Sequence, residues 1–271
     1  AALLASGVSA QDFLHFEAKP GPGKGKKVVL LAGDEEYRSE EAMPMLGKIL
    51  SQKHGFHCDV LFSADADGTV QPGKGESLTH PESLDSADAI VMSLRFRHWP
   101  DAAMKKLEDA VNRGVPIVGL RTSTHAFNIG KNGAYAKRSY NSREWQGGLG
   151  RPDLGATWIN HHGAHKKEGT RGIVEPAGKG HPVLRGVGEL FGDTDVYTAS
   201  PLPDVTILVR GEVTQSLDPK SPAVAGAKNI PMQPIVWVRE NKGPQGKTTR
   251  IATTPMGSAS DFRDEDLRAD R

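Results

Sequence analysis

Five consecutive apolar residues, Val28-Val29-Leu30-Leu31-Ala32, stop abruptly at Gly33-Asp34. A run this short and this apolar predicts a strand buried on both faces, the mark of a parallel sheet covered by helices. Ser39 to Ser51 follows with Ala42, Met45, Leu46, Ile49 and Leu50 at helical spacing, and Cys58 to Phe62 reads as a second strand. The cycle then repeats. A Gly-, Asp-, Pro- and Ser-rich loop over 63–86 leads to a strand at 87–93, a helix over Asp101–Asn112 closed by Gly114, and a strand at Val115–Leu120. Helices alternating with short apolar strands predict an α/β fold with a doubly wound, mostly parallel sheet. The second half is less periodic. Residues 130–170 carry much Gly, Asn, Arg and His, and three further strands are expected at 206–210, 234–238 and 250–254.

Composition narrows the function classes. With 271 residues, 37% hydrophobic and 25% charged, the chain can bury a sizeable core. A net charge of +1 gives no reason to expect nucleic acid or a membrane surface as partner. No apolar run approaches the length of a transmembrane segment. The single cysteine, Cys58, excludes a disulfide framework within the chain and a Cys-cluster metal site, and is expected to be a buried structural thiol. Residues 1–10 end in Val8-Ser9-Ala10, a small-residue cleavage pattern, and are read as the remnant of a secretory signal, which predicts export. Residues 11–26, with Pro20-Gly21-Pro22-Gly23, read as a linker, and 27–271 as the folded domain. Asp261 to Arg271 reads as the start of a helix, and both termini are expected to be incomplete.

In open α/β sheets ligands bind beyond the carboxyl ends of the strands. Four such ends here are dense in polar side chains: Gly33 to Glu41, Arg95 to Trp99, Arg121 to His125, and Met256 to Asp261. Ser39 and Glu41 suit a helix N-terminus, which leaves Glu36 and Arg38 as the functional candidates of the first loop. Arg95 and Arg97 suit oxygen-rich or anionic groups. Leu120 to His125 occupies the strand–turn–helix position where hydrolases hold a nucleophile, yet no Gly-x-Ser-x-Gly elbow surrounds Ser123. His161, His162 and His165 form the densest imidazole cluster, without the His-Glu-x-x-His pattern. A divalent metal, zinc first, would take His161, His162 and Asp195; the alternative is that the imidazoles act as hydrogen-bonding or acid/base groups.

The chain resembles the ThuA-like (trehalose-utilisation) family. The resemblance rests on Gly33-Asp34-Glu35-Glu36-Tyr37-Arg38-Ser39-Glu40-Glu41-Ala42-Met43-Pro44, on Gly119 to Phe127, and on Asn160-His161-His162-Gly163. His181-Pro182-Val183-Leu184-Arg185-Gly186 with Asp195-Val196-Tyr197, and Thr254 to Ser258, complete it. It spans about residues 27–267 and is closest to exported versions found beside sugar-oxidising proteins. It implies a class I glutamine amidotransferase-like, flavodoxin-like fold and a role with trehalose or related disaccharides, through keto-sugar intermediates. The family's turn histidine corresponds to His125 and its His-rich segment to His161 and His162. The amidotransferase cysteine is absent here, so glutamine hydrolysis by that route is not expected.

Three functions compete. The first is an enzyme of acid/base chemistry on a sugar, with His125 or His162 moving the proton and Glu36 assisting. Arg38, Arg97, His98, Arg121, Ser123 and Asp261 would hold substrate oxygens, and a divalent ion would polarise a carbonyl. The second is a non-catalytic carbohydrate-binding or docking module, with Trp99, Trp145 and Trp158 stacking on sugar rings. The third is a serine hydrolase built on Ser123. A homo-oligomer is compatible with all three.

Overall fold

A computed structural model describes residues 12–243 and 246–261. The signal-peptide reading of residues 1–10 lies outside the described residues, as does nearly all of the helix expected at 261–271.

The buried run at 27–33 is a strand, as its apolarity demands. The described residues form twelve strands and two α-helices, in chain order β1 Leu14–Phe16, β2 Lys27–Gly33, α1 Ser39–His54, β3 His57–Leu61, β4 Ala89–Leu94, α2 Asp101–Asn112 and β5 Ile117–Leu120. Then come β6 Trp158–His161, β7 Thr170–Val174, β8 Phe191–Gly192, β9 Tyr197–Ala199, β10 Thr206–Val213, β11 Gln233–Lys242 and β12 Thr248–Thr254. Ten strands form one sheet in the order β1-β3-β2-β4-β5-β12-β11-β10-β7-β8; β6 and β9 pair apart from it.

The five strands β3, β2, β4, β5 and β12 run parallel. The other five neighbour pairings of the large sheet are antiparallel. The mostly parallel sheet expected from sequence is therefore a mixed one. The reason lies in the connections. A parallel neighbour needs a long crossover, and only the first half of the chain supplies helices for it. β11 ends at Lys242 and β12 begins at Thr248, a separation too short for anything but a hairpin. The presumed linker also contributes structure: β1 adds antiparallel to the outer edge of β3, with Phe16 packing on Val60 and Gly47 of α1.

Alternation along the strands divides the core. Val28, Leu30, Cys58 and Val60 face α1, while Val29, Leu31, Ile90 and Ile117 face α2 through Met104, Leu107 and Val111. A third cluster of Val196, Leu208, Val209, Val213 and Ile235 holds the antiparallel end. Cys58 is buried, and burial pushes its thiol up to about 12, which suits an inert packing role. Trp99 lies edge-on to Phe127 in the α2-side core, so it is no sugar platform. Gly114 has φ +82 just beyond α2, the left-handed stop expected of it. Ser39 departs from its expected capping role. Arg38 takes the helix N-cap position in left-handed geometry, and the Ser39 hydroxyl instead accepts the Gly33 and Asp34 N–H groups at 2.9 and 2.8 Å. No helix among the described residues is long and apolar enough to cross a membrane.

Candidate functional site

The order of the parallel strands reverses between β2 and β4, since the chain first moves outward to β3 and then returns to the other side of β2. The loops after β2, β4 and β5 therefore open at one point, where a crevice is expected. Glu35 ties two of them together, accepting from Arg95 Nη1 and Arg97 Nη2 at 2.5 Å each. Glu36 pairs with Arg95 Nε at 3.0 Å. Arg97 is buried, its Nε and Nη1 donate to the Arg95 and Pro72 carbonyls, and it braces the loop from within. Arg38 turns outward onto Glu41, and His98 lies exposed beside Glu76 at 3.4 Å. Neither joins the crevice residues expected of it.

The turn after β5 is strained at Arg121, which has φ +46. This is the position where a nucleophile would sit on an elbow, and a guanidinium occupies it. The Arg121 side chain is fully buried. Nη1 donates to the Asp195 and Pro255 carbonyls at 2.9 and 2.6 Å, and the guanidinium carbon lies 3.8 Å over Tyr37 and 4.7 Å from the Tyr197 ring centre. Its Nη2 stands 3.6 Å from Asp195 Oδ1. Arg121 thus offsets a buried carboxylate and does not reach substrate oxygens as expected. Ser123 is also buried; its Oγ donates to the Met92 carbonyl at 2.8 Å and accepts the Leu94 N–H at 3.3 Å. Committed to the end of β4, that hydroxyl lacks the histidine partner a nucleophile needs.

Asp195 is the centre of the arrangement. Its Oδ2 is 2.6 Å from His161 Nδ1 and its Oδ1 is 2.8 Å from His165 Nδ1. Asp195 is wholly buried, whereas the His161 and His165 side chains are 41% and 31% exposed. With Nδ1 of each ring held by Asp195, the tautomer is set from that side and Nε2 is the nitrogen that the carboxylate leaves unused. The pairing of β6 with β9 brings this about: His161 stands opposite Tyr197, two residues from Asp195. His162, one residue on, projects the other way and bonds the Lys228 carbonyl through Nε2 at 2.6 Å. His165 therefore takes the place that His162 was expected to fill.

Beneath them lies His125, buried among Phe96, Trp158 and Tyr197, with ring centres 5.1, 4.9 and 5.7 Å away. Burial, aided by the charges of Arg95 and Arg121, holds its imidazole down to about 3, so it is neutral across the physiological range. Trp158 is half-buried and contacts His161 as well, so it is the tryptophan of the three that borders the cluster. Trp145 instead lies under Lys137 and Arg138. Asp261 closes the loop after β12, accepting the Gly257 and Ser258 N–H groups at 2.7 and 2.9 Å, with Gly257 at φ +106. Burial raises the Asp261 carboxyl.

Asp34, Tyr37 and Tyr197 were not among the residues expected in the site, and His165 was expected only as a member of the imidazole cluster. Asp34 directly follows β2, accepts the Thr122 hydroxyl at 2.6 Å, and is lifted by burial to about 6. Tyr37 meets His165 edge-on at 5.9 Å. The signal for Tyr37 and Tyr197 was their place inside quoted motifs; nothing in their spacing announced a cation between them.

No family model matches this sequence, and no curated protein does. The fold has counterparts among solved structures. A crystal structure described as a ThuA-like protein from Bacteroides uniformis aligns with a TM-score of 0.54 at 16% identity, covering 93% of this chain and 90% of that one. A second ThuA-like protein, from Parabacteroides merdae, aligns with a TM-score of 0.54 at 14% identity over 86% of this chain and 79% of that one. The likeness takes in most of this chain and is one of fold.

Proposed function

We propose that the chain is a ThuA-like protein, on an amidotransferase-type doubly wound core, that performs proton transfer on a carbohydrate carrying a carbonyl. The observation that carries this reading is the fully buried Asp195, whose two oxygens each hold one partly exposed imidazole. The orientation is that of a general base backed by a carboxylate. Nε2 of His161 or His165 would take the proton from the carbon beside the carbonyl. The positive charge then formed on the ring is stabilised through Nδ1–H by Asp195. The same imidazolium would then give that proton from Nε2 to a neighbouring carbon or to the leaving oxygen, giving isomerisation or elimination and restoring the neutral ring. His125, held neutral, cannot store a proton near pH 7 and serves as a wall of the site. Trp158 offers a ring face for a sugar.

A divalent ion is the alternative use of the same two Nε2 atoms, with Asp195 behind them. Asp195 itself suits the second position. Its oxygens lie at hydrogen-bond distance from Nδ1, closer than the roughly 3.3 Å separating two donors on a tetrahedral ion with bonds of about 2.0–2.1 Å.

The test is hydrogen exchange. A keto-disaccharide incubated with the protein in D2O should exchange the hydrogen beside its carbonyl, read by NMR. Replacing both His161 and His165 by Ala should lower the rate by about 10²-fold or more. Binding without exchange by the unaltered protein would favour the carbohydrate-binding module instead, and equal rates in both proteins would remove the base from this cluster.

A further inference from the structure

A second group of imidazoles lies at the far edge of the sheet, on the segment expected to be a linker. β1 and β3 pair with His15 opposite Asp59, and one further step of the same register sets Glu17 opposite His57. Residues two apart on a strand share a face, so His15, Glu17, His57 and Asp59 form a cross-strand square on one side of the sheet. Glu17 stands between the imidazoles: its carboxylate is 3.1 Å from His15 Nε2 and 3.2 Å from His57 Nδ1. Behind His15, Asp59 Oδ1 holds Nδ1 at 2.6 Å, and Asp59 is itself anchored by Lys27 at 2.7 Å and by the Ser83 hydroxyl.

We infer that His15 Nε2, His57 Nδ1 and the Glu17 carboxylate form a binding site for a divalent transition metal of the zinc type, clipping β1 to β3. Three features favour this over a chance surface cluster. Two imidazoles and one carboxylate are a donor set that such ions take, with water completing the shell. The donor spacings of 3.1 and 3.2 Å approach the roughly 3.3 Å edge of a tetrahedral shell. A buried carboxylate on the distal nitrogen of a ligand histidine is the outer shell that fixes its tautomer and strengthens it as a donor. The imidazole cluster around Asp195 differs on the last two counts, because there the carboxylate occupies the inner position at shorter distances. The location also suits a clip. β1 is three residues long and has a neighbour on one side only, so a metal shared with β3 adds a cross-link at a short edge of the sheet.

The site lies at the amino-terminal end of β3, whereas the proposed catalytic cluster serves the carboxyl ends, so the two can be tested apart. Untagged, chelator-treated protein would be titrated with zinc chloride by calorimetry, in the unaltered chain and in one carrying H161A and H165A. The expected result is one equivalent of zinc bound in both, weakened at least tenfold by H57A and by E17Q. Both side chains are well exposed, at 40% and 77%, so these changes leave the core intact. Thermal stability should rise with zinc in the unaltered protein and not in H57A. Absence of zinc binding, or binding lost in the H161A/H165A protein but retained in H57A, overturns the inference.

Discussion

Two buried groups near the strand ends pull the stability of this protein in opposite directions with pH. His125 is held at about 3 in the folded chain, against 6.5 as its ordinary value. The unfolded chain therefore takes up a proton below pH 6.5 that the folded chain refuses. The stability involved is present above pH 6.5 and lost as pH falls toward 3, about 3 kcal/mol of it by pH 4.5. Asp34, lifted from 3.8 to about 6, works the other way: its contribution is full below pH 3.8 and lost as pH rises through 6. Comparing H125Q with the unaltered protein isolates the first effect. Urea unfolding at pH 7 and 4.5 should show the unaltered protein losing about 3 kcal/mol more than the variant; parallel losses would mean that His125 is not buried as described. At Asp195 the expectation is harsher. D195N leaves Arg121 without its counter-charge, a cost of about 3–5 kcal/mol in the interior. It also turns one acceptor into a donor, so one of the two imidazoles loses its tautomer. Nitrogen NMR of His161 and His165 should show that loss even at temperatures where the fold survives.

At the scale of elements, the loops after β2, β4 and β5 are held by different means. Glu35 spans two arginines in the first pair, and Ser123 stitches the β5 turn to the end of β4. S123A should leave the Leu94 N–H and Met92 carbonyl without that partner, costing about 1–3 kcal/mol. Hydrogen exchange on the sugar should not change. How much of this was legible in sequence differs by element. Strands β2 to β5 and both helices were foreseen nearly to their ends, because apolar runs and helical spacing are local properties. β1, β6 and β9 were not foreseen, since they are short, partly exposed and stabilised by a distant partner strand.

At the scale of the molecule, the last strand in the described chain is central in space. β12 lies between β5, its parallel neighbour, and β11, its antiparallel one. It is the seam between the helix-covered half and the antiparallel half, and Ile251 on it belongs to the largest core cluster. A chain cut before Thr248 would split the sheet in two and expose both new edges. It should lose the cooperative thermal transition seen by circular dichroism and elute as aggregate; a soluble, cooperatively melting product would show that the halves fold independently.

The amino-acid sequence by itself determined the α/β class, the parallel nucleus from β2 to β5, and the ends of the strands at which polar residues gather. Those features follow from the burial of short apolar runs and from a helix period of 3.6, which any local window contains. Tertiary structure alone decided which of the gathered residues face one another. The sequence pointed to Arg121, Ser123, His162 and Arg97, yet each is spent on backbone or on a counter-charge. His165, Tyr37 and Tyr197 came in through the pairing of β6 with β9 and through the folding of 158–199 over the β5 turn. The reason is that a side chain's partner depends on contacts made across more than 30 residues, as between Asp195 and His161, and no local pattern encodes those distances.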